Sequence, residues 1–127
     1  MAAPNILAAT TATPHTISIT PSDTARNALV AAPSSGAVQK INQIMVANID
    51  GTNAYDATVE LRLADGTTYR SIASTISVPA DASLIVSDKT TMFYLMDTSV
   101  SGEASTLWVT SSTASKLTYT VSYETIS

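Results

Sequence analysis

Cysteine is missing altogether from this sequence, and histidine occurs once, at His15. The first absence removes disulfides and thiolate ligands. The two together leave no donor set for zinc or another transition metal, so no cofactor or metal is expected. Charge is scarce as well: Asp, Glu, Lys and Arg make up 13% of the chain, about half the usual share. The six cations, Arg26, Lys40, Arg62, Arg70, Lys89 and Lys116, are scattered, with no two adjacent. At a net charge of −4 they offer no basic stripe for a phosphate backbone, which argues against a nucleic-acid partner. No apolar run nears the roughly 20 residues that cross a bilayer, so no membrane partner is expected either. The opening MAAPNILAATTATP lacks the positive region of a secretory leader, and export by the classical route is not expected.

Serine and threonine fill the space that charge leaves, at about three residues in ten. Such a surface suits a molecule that spends its life against other protein. Residues 1–14 carry no charged side chain and include Pro4 and Pro14. Proline interrupts ladder hydrogen bonding, so this stretch reads as an extended arm ahead of a folded domain over 15–127. An uncharged arm gains little on its own surface, which favours packing on a neighbouring subunit over packing on its own domain.

The rest is a series of short strands punctuated by turns. His15–Thr20 places Ile17 and Ile19 on one side; Ala25–Ala32 is a weaker strand, followed by the turn cluster Pro33-Ser34-Ser35-Gly36. Val38–Ile49 has apolar residues in both phases, Ile41, Met45 and Ile49 against Val38, Ile44 and Val46. That pattern predicts a central strand covered on both faces. Asp56–Ala64 alternates cleanly, with Ala57, Val59, Leu61 and Leu63 inward. Asp65-Gly66 is the strongest hairpin turn and leads into Thr67–Val78. After Pro79-Ala80-Asp81 come Ser83–Ser87, Thr91–Met96, a loop over 97–105, Leu107–Ser111 and Lys116–Ile126. The last strand sends Leu117, Tyr119, Val121 and Tyr123 inward. No segment holds helical periodicity. The expected fold is all-β: an antiparallel β-sandwich, jelly-roll-like or Ig-like, of about eight or nine short strands, with an extended N-terminal arm.

Nothing in the sequence assembles a catalytic set, and the chain is not expected to be an enzyme. His15 has no nucleophile or second ligand beside it, and Ser101-Gly102-Glu103 lacks the glycine pattern of a nucleophile elbow. Asp50, Asn53 and Asp56 share one turn, IDGTNAYD; these oxygens either hold calcium or, on the plainer reading, shape the turn by backbone hydrogen bonds. Trp108 points opposite to Leu107 and Val109. It is either a buried residue of a two-sided strand or an exposed anchor for a partner. The residues singled out for a partner interface are Pro4, Asn5, Ile6 and Leu7 on the arm, Val100 in the 97–106 loop, and Trp108.

Several segments resemble a family of small β-sandwich virion proteins of tailed bacteriophages, particularly those of marine cyanobacteria. They are KINQIMVANIDGTNA (Lys40–Ala54), TISVPADASLIV (Thr75–Val86) and TYTVSYETIS (Thr118–Ser127), with MAAPNI resembling the family's start. Where that family tends to carry a short Glu-Gly-Asp type turn before the penultimate strand, this chain has the longer DTSVSGEAST, which marks residues 97–106 as a place of specialisation. The resemblance implies a structural role in the virion. The leading expectation is a capsid decoration or cement protein that binds the major capsid protein on the outer head surface, forms homo-oligomers, and is assembled in the host cytoplasm. A neck, collar or tail accessory protein is the first alternative. A carbohydrate- or receptor-binding module built on Trp108 and nearby tyrosines is the second.

Overall fold

The computed structural model describes residues 3–127; Met1 and Ala2, the tip of the expected arm, lie outside the described residues. Among the described residues nine strands form two antiparallel sheets: β1 (Ala12–Ile19), β2 (Asn27–Val30), β3 (Val38–Asn48), β4 (Tyr55–Leu63), β5 (Tyr69–Val78), β6 (Ser83–Ser87), β7 (Phe93–Met96), β8 (Ala104–Ser111) and β9 (Leu117–Ile126). One sheet runs β1-β9-β3-β6, with β7 also on β3; the other runs β2-β8-β4-β5. The pairs β1·β9, β2·β8, β3·β6 and β4·β5 are nested, as if one long hairpin had been rolled up. This is the jelly-roll arrangement, so of the two expected sandwiches the chain adopts that one.

The core lies between the sheets, where alternation sends the apolar phase of each strand inward. Ile41, Ile44 and Val46 of β3 meet Ala57 and Val59 of β4, Leu107 and Val109 of β8, and Leu117, Tyr119 and Val121 of β9; all are fully buried. Tyr119 crosses the gap with its polar end. Its hydroxyl donates to the Thr110 carbonyl and lies 3.0 Å from Ser111 Oγ, so the buried oxygen keeps hydrogen-bond partners. Burial pushes the Tyr119 pKa up.

Strand β3 departs from the sequence reading. Opposite β9 the register jumps between Ile41 and Gln43, which makes Asn42 a bulge residue. The bulge resets the alternation, so Ile41 and Ile44 face the same core although they belong to opposite phases. The strand is therefore central but not covered twice along its length: Met45 is half-buried and Ile49, beyond the strand's end, is exposed. The bulge also sits where β3 changes neighbours, from β7 (Val38–Ile41) to β6 (Ile44–Ala47). Val38 is buried at the far end, where it borders the N-terminal segment.

Two smaller differences concern proline and glycine. The first strand begins at Ala12, three residues before the expected His15, and carries Pro14 within it, opposite Glu124. Strand β1 is an edge strand, where a missing N–H need not break a ladder. In the β4–β5 turn only Gly66 takes positive φ, +75°, and its N–H bonds to the Leu63 carbonyl. Asp65 serves through its side chain instead, accepting from the N–H groups of Thr67 and Thr68 and from the Thr68 hydroxyl. Those bonds hold its carboxyl at a pKa of about 2.

Candidate functional site

Two surfaces stand out, one at the N-terminus and one on the outside of the β2-β8-β4-β5 sheet. The first is made by residues 4–9. Asn5 caps a short 3-10 turn, Ile6–Ala8, by accepting from the Leu7 N–H. Further on, the N–H groups of Thr10 and Thr11 donate to Ser127 of the same chain, and Ser127 donates back to Thr11. The segment is thus tied to the end of β9 and roofs a cleft of about 240 Å³, lined by Pro4, Asn5, Ile6, Ala8, Ala9, Gly36, Val38, Ile126 and Ser127. Pro4 is half-buried, Ile6 is 40% exposed and Leu7 is 96% exposed. Leu7 leaves nearly its whole side chain in water beside an apolar cleft, which is where a partner gains most by covering it.

The second surface gathers around Trp108. The outward phase of β4 is Asp56, Thr58, Glu60, Arg62; that of β8 is Thr106, Trp108, Thr110; Tyr69 and Ser71 of β5 lie alongside. The indole N–H of Trp108 donates to Thr106 Oγ1 at 2.8 Å. The Arg62 guanidinium lies over the indole at 4.8 Å, and the Tyr69 ring meets it edge-on at 6.1 Å. Arg26 in turn stacks over Tyr69 at 3.8 Å and grips Glu60 with two nitrogens, at 3.0 and 3.3 Å. The Arg26 pKa is raised, first by that hydrogen bond to Glu60. Trp108 is therefore an outward, half-buried residue with the Arg62 guanidinium over its ring and Tyr69 at its edge. Arg26, Glu60, Arg62 and Tyr69 were not singled out from the sequence. They come from three segments, and only the sheet pairing brings them together. The signal available in advance was the outward phase of β4, which holds Glu60 and Arg62.

The other singled-out positions are placed as follows. Val100 is 6% exposed, turned into its own loop, and its N–H bonds to the Asp97 carbonyl. Contrary to expectation it is covered by the chain itself and has no surface to give a partner. Asp50 spends its carboxylate on its own turn: Oδ1 accepts from Thr52 and Asn53, and Oδ2 from the Tyr55 hydroxyl at 2.8 Å. The Tyr55 bond is the main reason its pKa falls below the usual carboxylate range. This geometry fits the turn-shaping role of Asp50. His15 stacks on Tyr123, ring centres 4.8 Å apart, at the end of the sandwich.

On the outside of the other sheet, hydroxyls pair across β1 and β9: Thr16 with Ser122, Ser18 with Thr120, and Thr20 with Thr118, at 3.4, 3.2 and 2.8 Å. The Ser/Thr excess of the sequence is laid out here as an uncharged ladder.

No protein-family model matches the sequence, and no curated protein matches it. Among solved structures, the chain is similar to Bacillus endospore appendages, described as a novel family of disulfide-linked pili. The TM-score is 0.51 and the identity 16%, over 91% of this chain and 85% of that one. It also matches infectious bursal virus derived T=1 particles (TM-score 0.36, 15% identity) and the Gt strain of infectious bursal disease virus (TM-score 0.33, 12% identity). Both cover 89% of this chain and 31% of theirs, so it spans about a third of their length. At these identities the pilus likeness speaks for a shared fold.

Proposed function

We propose that this chain is a structural subunit of a protein assembly and, within that class, a decoration or cement protein on the outer capsid surface of a tailed phage, bound to the major capsid protein. The observation that carries the reading is the N-terminal segment, which keeps Leu7 96% exposed beside an apolar cleft of its own making. A free monomer gains nothing from that arrangement; a subunit seated on a neighbour buries both. Three features support it: a fold shared along nearly its whole length with a pilus protein, the phage-like sequence segments, and the lack of any catalytic constellation. Those pili are described as disulfide-linked. With no cysteine in its sequence, this chain has to hold its neighbours by packing and hydrogen bonds. A neck or tail address uses the same surfaces and differs in copy number.

The test is retention on purified heads. Removing residues 1–9 spares β1, which begins at Ala12, and Leu7→Asp leaves the backbone intact. Both variants are expected to fold normally and to be lost from heads in washing. Retention equal to that of the wild type would remove the arm from the account.

A further inference from the structure

We infer that the outer face of the β2-β8-β4-β5 sheet is a self-association surface that docks the same face of a second copy, turned end for end. The inference builds on the subunit reading and adds which face meets which. Along β4 the face runs from Asp56, exposed, to Arg62, half-buried and lying over Trp108. They stand six positions apart, about 20 Å of strand. Among the described residues Arg62 has no ion-pair or hydrogen-bond partner, whereas Arg26 is taken by Glu60. The exposed Asp56 carboxylate at the other end of the same face is the complementary group for that guanidinium, so a second copy turned end for end supplies it.

The size of the side chains is graded in the same direction as the charge. The Arg62 end holds the bulky group, Trp108, Tyr69 and Arg62 itself; the Asp56 end holds Thr58, Thr110 and Ser77. A two-fold axis lying in the interface, across β4 near Val59, sets the thick end of each copy on the thin end of the other. Arg62 then faces the second copy's Asp56, and the second copy's Arg62 faces Asp56. Trp108 covers the small Thr110 of the second copy, and Tyr69 covers its Ser77. Self-complementary contact of this kind is what an isologous dimer needs, and Trp, Tyr and Arg are the residues that dominate such contacts. Three strands of about 20 Å and the four-residue β2, about 4.8 Å apart, make a contact no larger than the small end of specific interfaces, so weak association, in the micromolar range, is expected.

Sedimentation equilibrium of the full chain, read together with the emission of its single tryptophan, tests this. The wild type is expected to dimerise with a Kd that rises with salt, and Trp108 emission should shift to the blue as the dimer forms. Arg62→Glu and Asp56→Arg should each weaken the dimer about tenfold or more; the double variant, which swaps the charges, should restore it to within about threefold. Arg62→Gln, which removes the charge at similar length, should also weaken it should Arg62→Glu fail to fold. A chain that stays monomeric at millimolar concentration overturns the inference. So does a dimer indifferent to these substitutions, or a monomer whose Trp108 emission responds to acidic oligosaccharides instead. None of these results touches head retention, which tests the subunit reading by itself.

Discussion

Asp65 shows how much one carboxylate does in a chain with so few. Its three hydrogen bonds fasten the turn between β4 and β5, and they place its pKa at about 2. A folded-state pKa below the unfolded value of about 3.9 contributes stability above the unfolded pKa and loses it as pH falls through the folded one. The turn should therefore loosen between about pH 4 and pH 2. The largest contribution to the shift is the Thr68 hydroxyl. Thr68→Val is expected to move the Asp65 pKa up towards the usual carboxylate range in a carbon-13 titration, with the two backbone bonds kept. An unmoved pKa would show that the hydroxyl plays no part. The turn itself was legible from Asp65-Gly66 in the sequence. The division of labour was not, because Asp65 acts through its side chain and only Gly66 through φ.

Among the elements, β3 is where period-2 reasoning misled, and for a physical reason. A bulge residue takes up one position without a cross-strand partner, so residues after it change phase. Ile41, Met45 and Ile49 looked like one face; in the structure Ile41 joins Ile44 and Val46 in the core while Ile49 is exposed. Deleting Asn42 should leave both halves of β3 in their present register and cost no more than about 1 kcal/mol. Deleting Met45 should fail to give a folded protein. It turns Val46 outward and displaces Asn48, whose side chain donates to the Val78 and Asn53 carbonyls. Circular dichroism and thermal unfolding of the two deletions check this; comparable damage from both would contradict the bulge assignment. Strands without an interior irregularity, β1 and β9 above all, had their inward residues correctly readable from alternation, His15 apart.

At the scale of the molecule, the nested order of strands was beyond sequence reading because its contacts are distant: Ala12 pairs with Ile126, and Thr20 reaches Thr118. A sandwich followed from the number and spacing of strands; the jelly-roll wrapping needed the pairing. The same distance hid the Trp108 cluster, assembled from β4, β5, β8 and the residue before β2. It also hid the ties of the expected arm over 1–14: from Ala12 on it belongs to β1, and Thr10 and Thr11 pair with Ser127 of the same chain, not with a neighbour. The central claim is that this chain is a stoichiometric part of a particle. It is tested most directly by counting its copies in purified virions by quantitative gel and locating it in a particle reconstruction. The account predicts hundreds of copies as jelly-roll density on the outer face of the capsid, with the N-terminal segment against a neighbour. Absence from purified particles would contradict it.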